Sequence, residues 1–227
     1  MGSAAGDFNR DGFTDLVVVN ALSGNYSVLL GNGSGTFLLV SNIAIGTYPH
    51  SVASADLNAD GKLDLVVTAE YEVRVLLGNG DGTFSLVTVL HPGQGARFPV
   101  VADFNRDGKP DLAIAVYTGG NVSLYQGNGN GTFQSPAVYP NAYTTKILLG
   151  DFNRDGNPDV ISTRGYDDGT VKVWLGTGAG TLQGGAEFPD TLQYLDAVTA
   201  DFNGDGRLDL ALSRGAYTDI RLGNGDG

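Results

Sequence analysis

The apolar residues of this chain come in short runs, such as LVVV at 16–19, LVV at 65–67, LAIAV at 112–116 and LAL at 210–212, each bounded by Gly, Asn and Asp. Runs of this length, rich in β-branched residues and punctuated by turn formers, predict strands. No segment offers the ten or more residues of 3.6 periodicity that a helix needs. The stretch 51–90 shows the grammar: SVASA, an Asp-rich loop, LDLVVTA, a short turn, VRVLL, the turn GNGDGT, and FSLVTVL. It predicts four consecutive strands. The continuous apolar runs suit strands covered on both faces, whereas VRVLL and VKVWL alternate as strands nearer an edge do.

That stretch recurs. A nine-residue string appears as DFNRDGFTD at Asp7, DLNADGKLD at Asp56, DFNRDGKPD at Asp103, DFNRDGNPD at Asp151 and DFNGDGRLD at Asp201, at intervals of 49, 47, 48 and 50 residues. A second string follows each: GNGSGTF, GNGDGTF, GNGNGTF, GTGAGTL and GNGDG. Four antiparallel strands repeating at this period predict an all-β fold, a β-propeller of four-stranded blades. One domain spans 1–227, with repeats at about 1–48, 49–97, 98–145, 146–195 and 196–227. The first unit has only GSAAG where the second has SVASA, and the fifth reaches Gly227 before a fourth strand. Up to two strands are therefore expected to be absent, which leaves a five-bladed ring and a piece of a larger one both open.

Composition narrows the chemistry. The 227 residues include no Cys, which excludes disulfide and thiolate-metal chemistry, and no apolar stretch approaches a spanning helix. No membrane insertion is expected. The start, MGSAAG, has neither the charged nor the apolar region of a secretory leader. The formal charge is −12, and the five nine-residue strings hold fifteen of the 25 acidic residues but six of the 13 basic ones. The chain has no cluster of Lys and Arg, so no nucleic-acid partner is expected.

Within each string, Asp at 1, Asn at 3 and Asp at 5 put side-chain oxygens on alternate residues, Gly at 6 permits a turn, position 7 offers a backbone carbonyl, and Asp at 9 adds a carboxylate. The sets are Asp7, Asn9, Asp11, Phe13 and Asp15; Asp56, Asn58, Asp60, Lys62 and Asp64; Asp103, Asn105, Asp107, Lys109 and Asp111; Asp151, Asn153, Asp155, Asn157 and Asp159; and Asp201, Asn203, Asp205, Arg207 and Asp209. Hard oxygen donors in this number suit Ca²⁺ better than Mg²⁺, about one ion per repeat. The loops are not EF-hands, because the twelfth positions are Val18, Val67, Ile114, Ser162 and Leu212 instead of Glu. Turn chemistry alone accounts for D-x-N-x-D-G. It leaves Asp at 9 unexplained, and three carboxylates on one turn are expected to repel without a cation.

The pairing of DFNRDGxxDL with VxVLLGNGDGTF at this period resembles the FG-GAP/VCBS repeat family, which includes integrin α-subunit propellers and many secreted bacterial proteins. The resemblance implies a propeller with a Ca²⁺ site between the first and second strands of each blade. The family ring usually has seven blades.

In an up-and-down meander the Asp loops and GNGxGT turns share one end of the blades, and the remaining connections share the other. That second end is irregular, and it collects Tyr48, Tyr71, Tyr117, Tyr143, Tyr166, Tyr194 and Tyr217 with His50, His91 and Arg97. Aromatic residues on variable loops suit recognition of a glycan or an extracellular protein. The expected function is a non-catalytic, calcium-binding adhesion or recognition module in a secreted, periplasmic or cell-surface setting, self-associating if the ring is incomplete. The alternatives are a polysaccharide lyase or hydrolase drawing on His50, His91, Arg97, Asp167, Asp168 and Asp190, and an excised or engineered set of blades without activity of its own.

Overall fold

The computed structural model describes residues 2–141, 144–164, 169–189 and 194–227. Blade 1 runs β1 (Ser3–Gly6), β2 (Asp15–Asn20), β3 (Asn25–Gly31) and β4 (Phe37–Ala44), and blade 2 runs β5 (Ser51–Ala55), β6 (Asp64–Thr68), β7 (Val73–Gly78) and β8 (Phe84–Leu90). Blade 3 comprises β9 (Ala96–Ala102), β10 (Asp111–Val116), β11 (Asn121–Tyr125) and β12 (Ala137–Pro140). Blade 4 follows with β13 (Thr144–Gly150), β14 (Asp159–Arg164), β15 (Val171–Gly176) and β16 (Leu182–Phe188), and blade 5 with β17 (Asp196–Ala200), β18 (Asp209–Arg214) and β19 (Tyr217–Arg221). Each blade is an antiparallel sheet with strands in chain order, and together they form the five blades of a β-propeller. GSAAG does build its strand: Ser3 to Gly6 pair with Val18 to Asp15. Blade 5 has three described strands.

The predicted apolar runs are the middle strands, and their burial reports their place in the stack. In blades 2 and 3 every residue of β6 and β10 is buried, because another blade covers each side of the sheet. In blade 1, β2 alternates buried with half-buried positions, since blade 2 covers one side only. Among the described residues four apolar clusters hold the blades together, one at each junction between successive blades. Phe8, Val17 and Val28 of blade 1 meet Val52 and Leu65 of blade 2. Val66 and Val75 meet Leu112 and Ile114 at the next junction. Ala113 and Leu124 meet Ile147 and Trp174, and Ile161 and Val173 meet Ala197 and Leu210. At this last junction a cavity of about 290 Å³ remains, walled by Phe152, Val173, Phe188 and Leu222 among others. Among the described residues no cluster joins blade 5 to blade 1.

Third and fourth strands carry a bulge at a recurring position, between Val28 and Leu29 in blade 1 and between Val75 and Leu76 in blade 2. Such a bulge raises local twist, which lets flat sheets fan out as blades. No helix among the described residues is long and apolar enough to cross a membrane.

Candidate functional site

The Asp loops and the GNGxG turns lie at one end of the blades, here the loop face. Each loop is a self-bonded turn. In blade 3 the N–H of Asp107 donates to Asp103 Oδ1 at 3.1 Å and to Asn105 Oδ1 at 3.0 Å, the N–H of Gly108 donates to Asp103 Oδ2 at 2.8 Å, and the N–H of Lys109 donates to Asp107 Oδ1 at 2.9 Å. The other loops repeat this pattern. These amide bonds stabilise the charged carboxylates. The N–H of position 7 holds Asp60, Asp107 and Asp155 below the usual carboxylate range, and the N–H of Gly206 does the same for Asp201.

The ninth position behaves differently, although it still feels the other carboxylates of its loop. Asp15, Asp64, Asp111, Asp159 and Asp209 are buried and turned inward. Asp111 Oδ2 accepts the N–H of Phe104 at 2.9 Å, and its Oδ1 accepts the N–H of Gly127, the first residue of GNGNG, at 2.8 Å. All five copies make both bonds. The carboxylate is thus a latch between the two repeated strings of one blade. Burial pushes Asp64, Asp111 and Asp159 up; their amide bonds oppose the shift, and the nearby position-5 carboxylate adds to it. The latch also explains the recurring glycine. A Cβ on Gly127 would stand 2.0 Å from the carbonyl oxygen of Pro110, a distance no side chain tolerates.

Among the described residues no three acidic or imidazole side chains converge as a metal-holding group. The convergent donors of each loop are two carboxylates and one amide. Position-1 and position-3 oxygens approach the same N–H, and a carboxylate oxygen that accepts one hydrogen bond keeps a second lone pair. Such a hard, all-oxygen set fits Ca²⁺.

The opposite, variable face sorts the aromatic candidates. Tyr48, Tyr71 and Tyr217 are exposed. Tyr117 is half-buried, its ring 5.4 Å from the Arg97 guanidinium. Tyr194 belongs to the blade 4–5 core, with its hydroxyl accepting from Arg214 at 2.9 Å and Arg221 at 3.3 Å, so it is a packing residue and not part of an exposed face. Tyr143, Tyr166, Asp167, Asp168 and Asp190 lie outside the described residues.

Two local arrangements stand out. At blade 1, Ala21, Leu22, Ser23, Gly24, Gly46, Thr47 and Tyr48 line a cavity of about 370 Å³. Tyr48 holds φ at 48°, the left-handed region that an aromatic residue adopts only when its surroundings impose it. At blades 2 and 3, His50 Nε2 lies 2.9 Å from Glu70 Oε2, and Gln94 donates to Glu70 Oε1 at 2.9 Å. Burial pushes the His50 imidazole below its ordinary range, against the pull of its Glu70 bond. Burial tends to raise Glu70, but the bonds from His50 and Gln94 prevail and hold it below the usual range. His91 is separate from this pair, its Nδ1 lying 3.4 Å from the Tyr71 carbonyl oxygen.

The comparisons agree with the repeat. A family model described as FG-GAP-like repeat matches residues 7–67, 56–114, 103–162 and 151–212. No curated protein matches the chain in sequence. Among solved structures the chain is similar to an Agrocybe aegerita lectin that specifically recognises non-reducing terminal N-acetylglucosamine, with a TM-score of 0.68 and 23% identity over 99% of this chain and 63% of that one. It is also similar to a putative 6-phosphogluconolactonase from Bacteroides fragilis, with a TM-score of 0.70 and 14% identity over 94% of this chain and 65% of that one. The chain therefore spans less than two thirds of the length of either, and at these identities the likeness is one of fold.

Proposed function

This chain belongs to the FG-GAP-like repeat family, and we propose that it is a calcium-stabilised, non-catalytic recognition module that takes a glycan on its variable face. The carrying observation is the blade 1 cavity. An exposed Tyr48 ring stands beside Leu22, the Ser23 and Thr47 hydroxyls, and a glycine-lined backbone wall. A sugar presents one apolar face and a rim of hydroxyls, and a ring platform beside short polar groups matches both. The similar Agrocybe lectin, whose ligand is a terminal N-acetylglucosamine, supports the reading. On the loop face, positions 1, 3, 5 and 7 of each string would hold Ca²⁺, with the position-9 carboxylate closing the loop behind them. Calcium would supply charge neutralisation and rigidity there. Extracellular calcium modules bind at about 10⁻⁴–10⁻³ M, a level that fits a secreted, periplasmic or cell-surface setting.

Glycan-array binding in calcium, compared with EDTA and with Tyr48→Gly, tests the proposal. Gly adopts positive φ without strain, so this variant removes the ring and spares the backbone. Loss of binding with an unchanged melt is expected; binding that survives Tyr48→Gly would refute the site. A melting temperature unmoved by EDTA would refute the calcium.

The His50–Glu70 pair favours a second reading, a hydrolytic or lyase site with an imidazole as acid or base. Turnover of a polysaccharide that His50→Gln abolishes would establish it over the first.

A further inference from the structure

Arg97, on the variable face of blade 3, is fixed in place and short of an acceptor. Beside it in β9, Phe98 and Pro99 together stand opposite Ile114, between the pairs Arg97 with Ala115 and Val100 with Ala113, and a bulge of this kind re-aims the side chains next to it. Phe98 holds φ at 47°, and its N–H donates to the buried Ser51 Oγ of blade 2 at 2.7 Å. The Arg97 guanidinium is half-buried and lies 5.4 Å from the centre of the Tyr117 ring. Other charges of this face are already matched: Arg74 pairs with Glu72, Lys146 pairs with Asp196, and Glu70 gives its two oxygens to His50 and Gln94. Arg97 has no carboxylate within ion-pair distance among the described residues, and its Nε is buried without an acceptor. An orphaned donor on a partly buried cation is costly, so the site favours a ligand that brings an anion to it.

We propose that Arg97 receives the carboxylate of an acidic sugar, which makes the ligand of the variable face a glycan bearing uronic or sialic acid; the inference rests on the glycan reading above. A guanidinium offers a planar carboxylate two parallel N–H donors, and the Tyr117 ring shields one side of the pair from water. Continuity with the blade 1 cavity favours a sugar over an acidic peptide. Thr47 lines that cavity, and its carbonyl accepts the N–H of Glu70 at 3.3 Å; the carbonyl of Glu70 in turn accepts the N–H of Gly95 at 2.6 Å, two residues before Arg97. One turn, 69–72, thus separates the Tyr48 ring from the Arg97 segment. A glycan that rests a neutral sugar on Tyr48 and crosses this turn meets the guanidinium.

Surface-immobilised probes test this with the 227-residue chain in calcium: galacturonic acid oligomers and sialyllactose, each beside its carboxyl-reduced form, with N-acetylglucosamine oligomers as the neutral set and polyglutamate as the acidic peptide. The parent should bind an acidic glycan about 10- to 100-fold tighter than its reduced form, the worth of hydrogen bonds to a charged group. Arg97→Gln should erase that preference, and Arg97→Lys, which keeps the charge but loses the fork, should retain part of it and serves as the second variant should Gln disturb the fold. Arg154→Gln, the same loss of charge on the loop face, should bind as the parent does. Equal binding of acidic and reduced forms by the parent, a preference that survives Arg97→Gln, or an equal loss in Arg154→Gln would each overturn the carboxylate site, while neutral oligomers held through Tyr48 would leave the glycan reading standing. Binding of no glycan would end both readings, and Arg97-dependent binding of polyglutamate alone would give the site to an acidic peptide and overturn the sugar.

Discussion

Replacing Asp111 with Ala isolates the latch from any metal. Asp111 is buried and holds the amides of Phe104 and Gly127 at 2.9 and 2.8 Å. A hydrogen bond to a charged group contributes about 1.5–3 kcal/mol, and an orphaned buried N–H costs about 1–3 kcal/mol. Removing a buried carboxylate returns part of this by relieving its desolvation, which is the effect that pushes Asp111 up. The net loss should be about 2–4 kcal/mol. Asp111→Asn should lose a large share of that, since its oxygen accepts one amide while its NH₂ faces the other donor. The assay is urea unfolding in EDTA, read as a midpoint shift at unchanged slope. Asp107→Ala is the control, because Asp107 is an exposed loop carboxylate that bonds within its own turn. In EDTA the Asp111 variant should be far the weaker of the two, and in calcium both should fall behind the parent. A loss below about 0.5 kcal/mol for Asp111→Ala in EDTA, within the range of ordinary surface changes, or a loss equal to that of Asp107→Ala, would show that the ninth carboxylate serves the metal alone.

Two other substitutions have a definite sign. Tyr26 is buried between blades 1 and 2, burial pushes its phenol up to about 12, and its hydroxyl has no hydrogen-bond partner among the described residues; Tyr26→Phe should therefore raise stability by about 1 kcal/mol in urea melts. His50 is depressed by burial, with Glu70 and Arg97 as its charged neighbours. The unfolded chain then takes up its proton first, so the contribution is complete above about pH 6.5 and is lost as pH falls through that value. His50→Gln should flatten the decline in melting temperature between neutral and mildly acid pH, and parallel curves for parent and variant would exclude His50 as its source.

Most of the fold was legible because five copies repeat its signal. The strand grammar of 51–90 is ambiguous in one copy; at a fixed period it points to blades. The Asp loops were legible as turns with converging oxygens. The role of Asp15 and its four counterparts was not, because their partners are backbone amides, one of them in a string 14 to 17 residues away, and amides leave no mark in side-chain identity. A trace was present all the same: the first Gly of each second string recurs with the ninth Asp of the first, and their contact explains both. Tyr194 misled for the opposite reason. Its position near a strand end matched the exposed Tyr48 and Tyr71, and only the packing of Arg214 and Arg221 on its hydroxyl shows it to be interior.

The latch has a counterpart between blades. The N–H of Gly82 donates to the carbonyl of Phe8 at 3.1 Å, and that of Gly180 to the carbonyl of Phe104 at 3.0 Å, so the second string of one blade rests on the first string of the blade before it. At these two junctions neighbouring blades therefore meet through strings that every blade carries. A gene encoding such a chain can gain or lose whole units by recombination between copies, and a new junction of this kind would find its hydrogen bond already specified. Length is then a cheap variable for this architecture, and the irregular loops of the variable face are free to diverge while the scaffold beneath them is copied.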